Sequence, residues 1–342
     1  MARERPCASR GLGGGAVKVA VDVTALAQTR AGTARYLQAV LPRLETEVEL
    51  RRLSGFAAGP PGTLWLDLAW YPHLLARRAR GTDVLHCPTY RGPVREGPVP
   101  VVVTVHDVAV FRYPELFPPW TRAYSTRVVP RVLRAAQRII AVSEFTAAEL
   151  ESVLGIPRDK VRVVANAVDA VFATGGARAG GDYVLAVGTL EPRKNLQRVI
   201  EATDRLGLQL RVVGAEGWGG VDPRGDRVTW LGEVADEELA RQYRGALCLV
   251  YPSLYEGFGI PVVEAMGCGT PVVTSAGGAT EEVAGGAAVL VDPLDVEAMA
   301  VGIEQAIGRR DELRARGLER AREFSWDESA RRTLAVYADT AL

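Results

Sequence analysis

Two cations stand side by side in Gly188-Thr189-Leu190-Glu191-Pro192-Arg193-Lys194-Asn195, just after the apolar run VLAV and just before a helical stretch. Arg193 can bridge two oxygens with its planar fork, and Lys194 adds a point charge. A solvated helix start is the ordinary fate of such a pair. Positive charge at a helix N-terminus opposes the macrodipole, however, so a bound anion such as a phosphate explains the pair better. A second segment, YEGFGIPVVEAMGCGTPVV, follows the run LCLVY and places Glu256 and Glu264 on either side of a glycine-rich turn. Pro261 opens a helix there, where its missing donor is harmless. The backbone N–H groups of Gly257, Phe258, Gly259 and Ile260 are suited to hydroxyls or phosphate. Glu264, one turn inside, can accept two hydrogen bonds from the paired hydroxyls of a ribose. His106 and Asp107 follow a third apolar run, VVVTV.

The elements that must position these residues are short β-branched runs. They begin near Val17, Val48, Asp83, Val99, Arg138 and Val161, with helical spacing in stretches such as ARYLQAVLPRL from Ala34 and SEFTAAELESVL from Ser143. Ser143 reads as a helix N-cap. Strand, helix, strand at this length implies βαβ units and a parallel sheet. The glycine-rich stretch FATGGARAGGD from Phe172 breaks the pattern, and six more strands then alternate with helices. The expected fold is α/β, with two doubly wound Rossmann-like domains facing across a cleft. The divisions are a frayed tail over 1–16, a first domain over 17–170, a linker over 171–182, a second domain over 183–324, and a final helix over 325–342. Open parallel sheets bind ligands at the carboxyl ends of their strands, so the three chemical segments should share one rim.

At 342 residues the chain can bury two cores. Its formal net charge of zero argues against a nucleic-acid protein. No apolar run reaches the ~20 residues of a membrane span. The four cysteines (Cys7, Cys87, Cys248, Cys268) lack metal-ligand spacing, which suggests reduced thiols and a cytoplasmic setting. No Asp-x-Asp pair stands at a strand end, and Asp292 and Asp295 fit a turn, so no metal or other cofactor is expected. Among the weaker signals, His73 reads as structural. His86 precedes the loop CPTYRGP, which is a candidate acceptor loop. Arg127, Arg131, Arg134 and Arg138 recur at helical spacing, as a solvated face or a peripheral contact with anionic lipid.

The Glu256–Glu264 segment resembles the paired-glutamate motif of the family-four retaining glycosyltransferases, which have the GT-B fold. GTLEPRKN, VVANAVD, VTWLGEVADEELARQYRGA and FSWDESARRTLAVY match in order, closely over 182–340 and more loosely over 17–170. Size and composition also resemble glycosyltransferases of oligosaccharide-antibiotic pathways such as avilamycin's. The resemblance implies transfer, with retention, from a nucleotide-diphosphate sugar to a glycan or glycosylated small molecule. Arg193 and Lys194 would hold the diphosphate, with Gly32 close to it. Glu264 would bind the ribose and Glu256 would lie near the donor sugar, stabilising charge. The backbone of Gly257, Phe258, Gly259 and Ile260 would contact sugar and phosphate. His106 would border the sugar from the first domain. Gly232, Glu233 and Val234 would meet the base. Catalysis would be mainly electrostatic, each donor to the leaving diphosphate contributing about 2.7–4 kcal/mol.

Two departures from the family pattern stand out. Ala34 replaces the second glycine of the first turn. The linker begins Asn166-Ala167-Val168-Asp169 where Asn-Gly-Val-Asp is usual, so Ala167 would be strained by roughly 1–2 kcal/mol if that position needs positive φ. A dehydrogenase is excluded by the absence of G-x-G-x-x-G after the first strand. An inactive GT-B scaffold subunit and a nucleotide-sugar epimerase are the remaining alternatives.

Overall fold

The computed structural model describes residues 17–28, 32–55 and 59–341. Cys7 and the expected tail lie outside the described residues. The β-branched runs form strands Lys18–Asp22 (β1), Glu49–Leu53 (β2), Val84–Cys87 (β3), Val101–Val105 (β4), Arg138–Ala141 (β5) and Val161–Val163 (β6) in one sheet. Tyr183–Val187 (β7), Gln209–Val213 (β8), Val228–Gly232 (β9), Leu249–Tyr251 (β10), Val272–Ser275 (β11) and Val289–Val291 (β12) form the other. Every pairing is parallel. The central β4, VVVTV, is buried along its whole length, as a strand covered on both faces must be. Edge strand β2, ELRRL, keeps its arginines in solvent.

Strand order is β2-β1-β3-β4-β5-β6 in the first sheet and β12-β11-β10-β7-β8-β9 in the second. Each order reverses once, between β1 and β3 and between β7 and β10. Loops diverge at such a point and leave a crevice beyond the carboxyl ends. The segments after β7 and β10 are those carrying Arg193-Lys194 and Glu256. The α/β, doubly wound reading of the sequence therefore holds.

Helix Trp326–Ala341 follows the second sheet in sequence yet packs on the first. Its Trp326, Ala330, Val336 and Tyr337 join Val19, Val21, Val102 and Ile140 in one core. Ser143 caps helix Glu144–Leu154, its Oγ accepting from Thr146 N at 2.9 Å.

Three expectations are corrected here. β8 and β9 are joined by residues 214–227 without a helix, although helices were expected between all strands of the second sheet. The positive-φ set contains no alanine: Asn195 is its sole non-glycine member among the described residues. Ala167 is therefore unstrained and buried. Arg127, Arg131 and Arg134 are exposed on helix Pro119–Ala135, but Arg138 lies in β5 and pairs with Asp339 at 2.8 Å, so the basic stripe is shorter. Among the described residues, no helix is long and apolar enough to cross a membrane.

Candidate active site

Gly188 follows β7 at φ 146°, where a side chain would crowd the Lys194 methylenes at 3.3 Å. The chain then makes a single helical turn over Pro192–Lys194, and Asn195 closes it in the left-handed region. Asn195 Nδ2 donates to the carbonyls of Pro252 (3.1 Å) and Pro293 (2.6 Å), tying this loop to those after β10 and β12. Arg193 and Lys194 consequently point the same way, at one carboxylate. Lys194 Nζ donates to Glu256 Oε1 at 2.6 Å, and Arg193 Nη1 donates to Glu256 Oε2 at 3.2 Å. Tyr251 OH, at the end of β10, accepts from Lys194 (2.8 Å) and donates to Glu256 Oε1 (2.9 Å). Burial alone would raise the Glu256 carboxyl, but Lys194 and then Arg193 outweigh it and bring it down to about 2. The neighbouring Glu191, 2.9 Å from Arg193, is raised because burial dominates. Asp107 of the first domain stands 3.9 Å from Arg193.

A second cluster surrounds Glu264, on helix Ile260–Gly267. Tyr243 OH donates to Oε2 at 3.0 Å, and Arg35 Nη2 lies 2.7 Å from Oε1, an ion pair rather than an aligned hydrogen bond. Burial raises the Glu264 carboxyl against the pull of Arg35 and Tyr243. Arg35 belongs to helix Gly32–Leu44 of the first domain and also approaches Asp236 at 3.4 Å. Asp236 opens the helix that follows Gly232-Glu233-Val234, so that loop lies toward this cluster.

The domains meet at Gly257. A Cβ there would stand 1.6 Å from the His106 carbonyl oxygen, so only glycine fits. Ser143 Oγ and Thr146 Oγ1 both donate to its carbonyl, at 2.6 and 3.0 Å. The nearest neighbour of this glycine is thus the other domain. Phe258 is buried edge-on against Phe324, and Gly259, at φ 99°, precedes the helix that Ile260 begins.

His106 Nε2 donates to the Pro88 carbonyl at 3.0 Å, and burial lowers its pKa, so the ring is neutral with the proton on Nε2. With Asp107, Thr89, Tyr90, Arg91 and Thr33 it lines a cavity of about 240 Å³. Arg91 is held there by Asp67 at 3.5 Å and by the rings of Tyr71 and Tyr124. A wider depression of about 600 Å³ lies beside Trp218 and Trp230, next to the connection that lacks a helix.

Arg193, Lys194, Glu256, Gly257 and His106 are thus brought together, and Glu264 lies in the adjoining cluster. Gly32 is displaced from the first turn: helix Thr24–Gln28 follows β1, and Gly32 opens the next helix with open space at its Cβ position. His86 does not join the cavity. It is fully buried between Thr104 Oγ1 (2.8 Å) and Tyr337 OH (2.7 Å), and burial lowers its pKa to about 3. His73 is exposed on a helix. Asp107 was singled out with His106, whereas Glu191, Tyr251, Arg35 and Tyr243 were given no role by sequence reasoning. Glu191 and Tyr251 sit at or near strand ends and were legible by position. Arg35 and Tyr243 lie inside helices and gave no signal.

Comparison with known proteins agrees with this architecture. Residues 169–324 match the model of "Glycosyl transferases group 1", and residues 12–172 match "Glycosyltransferase Family 4". The chain is 33% identical over 264 residues to the O-antigen chain mannosyltransferase B of Escherichia coli, covering 69% of each protein. Among solved structures it resembles sucrose-phosphate synthase from Thermosynechococcus elongatus, with TM-score 0.75, 19% identity, and 94% and 98% of the chains covered. It also resembles Anabaena HepE in complex with UDP and glucose, with TM-score 0.69, 17% identity, and 94% and 100% covered. With a GT-B fold, both family models and a relative matched over most of its length, the chain belongs to the group 1, family-4 glycosyltransferases.

Proposed function

We propose that the protein transfers a sugar, with retention and without a metal ion, from a nucleoside-diphosphate donor to a hydroxyl of a glycan or glycosylated small molecule. The observation that carries this reading is the convergence of Arg193 and Lys194 on Glu256 at the crevice between β7 and β10. Two cations fixed at a strand end offer charge where a departing diphosphate would develop it, which is the work a divalent ion does elsewhere. Glu256, kept ionised by those cations, would face the positive charge of an oxocarbenium-like sugar. The backbone from Gly257 to Ile260 would receive sugar and phosphate, with Gly32 near the diphosphate. Glu264 would take the ribose and Gly232-Glu233-Val234 the base. His106, a neutral ring in the first domain's cavity, would border the sugar, and the 240 Å³ cavity would admit the acceptor hydroxyl.

The mannosyltransferase among the relatives makes a mannosyl donor the first to try, and the UDP held by HepE makes UDP the first nucleotide. Acceptor panels should include lipid-linked glycans and oligosaccharide-antibiotic precursors. The test is calorimetric titration of UDP, GDP and dTDP in the presence of chelator, on the wild type and on R193A/K194A. One diphosphate should bind the wild type, and the double variant should lose both that binding and sugar transfer. Wild-type binding by the double variant would sink the site assignment, and transfer that stops in chelator and returns with magnesium would overturn metal independence.

A further inference from the structure

Glu264 is 1% exposed, and its two oxygens face Tyr243 from its own domain and Arg35 from the other. The Arg35 side chain, 24% exposed, lies between solvent and a carboxylate that is itself 1% exposed, in contact with its Oε1 at 2.7 Å. It is steadied from three sides: Glu264 at 2.7 Å, Asp236 at 3.4 Å, and the ring of Phe172, whose centroid lies 5.4 Å from its guanidinium carbon. Phe172 belongs to the linker, Asp236 and Glu264 to the second domain, and Arg35 to the first. One side chain therefore ties three parts of the molecule. A carboxylate this deep cannot accept hydrogen bonds from a ribose until whatever covers it moves away.

We infer that Arg35 is a gate at the ribose carboxylate: its guanidinium and the donor's ribose compete for Glu264. The inference rests on the donor site proposed above. With the site empty, Arg35 supplies the charge that keeps a buried carboxylate tolerable, since a buried acid stripped of its partner is strongly destabilising. The ribose hydroxyls replace that partner, and the freed guanidinium can turn toward Asp236 or solvent. The empty protein is then only fractionally competent, and its apparent affinity for the nucleotide is reduced by that fraction. Arg35 is thus a positioning residue, acting on the substrate through Glu264.

The sign of the effect separates this role from ordinary electrostatics. Removing a cation beside a diphosphate site should weaken binding of the anion, whereas removing a gate should tighten it. The experiment is titration of UDP, GDP, dTDP and the phosphate-free nucleoside uridine against wild type, R35A, R35K and R35Q in the full chain. R35A should bind the preferred diphosphate about tenfold more tightly. R35Q, which keeps part of the stem over Phe172, should do the same if R35A fails to fold. R35K should stay near the wild type, because its charge still reaches the carboxylate. The gain should persist with uridine if the base is uracil, because the contest is over the ribose. Unchanged or weaker nucleotide binding by R35A and R35Q, with the wild type binding normally, would overturn the gate. Failure of every variant and the wild type to bind any nucleotide would overturn the donor-site reading, and the gate with it.

Discussion

Asp22, whose charge is felt by the Arg91 and Tyr71 that line the first domain's cavity, carries a large pKa perturbation. It ends β1, is 2% exposed, and accepts from Thr24 Oγ1 at 2.5 Å. Burial raises its carboxyl from 3.8 to about 6, against the pull of Thr24, Trp70 and Arg91. A raised acid favours the folded state below its unfolded pKa, and that contribution is lost as pH climbs through the folded value. From pH 3.8 to about 6 the wild type should therefore lose on the order of 3 kcal/mol from this group. In Asp22→Asn that loss should vanish, and unfolding free energies should diverge from the wild type across this window. Parallel urea titrations at pH 4, 5 and 6.5 decide it, and identical pH slopes would show that Asp22 does not titrate there. Glu256 has the opposite sign. Its carboxyl is depressed to about 2, so its pairing stabilises the protein above pH 4.5 and is lost on acidification.

At the scale of elements, the glycine turn after β10 is where packing and proposed chemistry coincide. Ser143 and Thr146, at the start of helix Glu144–Leu154, donate to the Gly257 carbonyl, while the His106 carbonyl occupies the space of a Cβ. Gly257→Ala must push the loop away from His106 and move Glu256 with it. A displacement near 1 Å at a reacting centre costs on the order of 100-fold in rate. Sugar transfer by Gly257→Ala should fall by about that factor while circular dichroism stays unchanged, and a wild-type rate would show that the approach of the loops is dispensable. The loop from residue 214 to 227 makes a contrasting point. Parallel strands need a crossover, usually helical, but this one contains five glycines and a proline, too many breakers for a helix. What remains is a depression flanked by half-exposed Trp218 and Trp230.

Among the contacts that join the two halves are the Gly257 interface, the Arg35–Glu264 pair, and the return of helix Trp326–Ala341 to the first sheet. Tyr337 fixes that return through His86, whose ring is kept neutral by burial and whose two nitrogens are both engaged. Tyr337→Phe would leave a buried imidazole nitrogen without a partner, at a cost of about 1–3 kcal/mol. Urea unfolding should shift to lower denaturant by that amount, and the first domain should lose protection against hydrogen exchange along β3. An unchanged midpoint would mean that the helix is held by its apolar face alone, through Trp326, Ala330 and Val336.

The sequence alone determined the strands, because β-branched runs punctuated by helical spacing admit little other than parallel sheets. It also determined the convergence of Arg193, Lys194 and Glu256, since residues that break a core pattern at strand ends in doubly wound sheets must face the crevice. The tertiary structure decided what depends on contact between distant segments. His86 looked like a loop residue beside a strand and became a core residue only because the final helix returns to cover it. Gly257 drew notice as candidate ligand-binding backbone, and the close approach of the other domain at its Cα and carbonyl came only with the structure. Arg35 sits unremarked in an amphipathic helix, and its meaning comes from a carboxylate more than two hundred positions away in the chain. Local patterning sets which face of an element is buried, but which charge lies opposite which is set by the docking of two separately formed sheets.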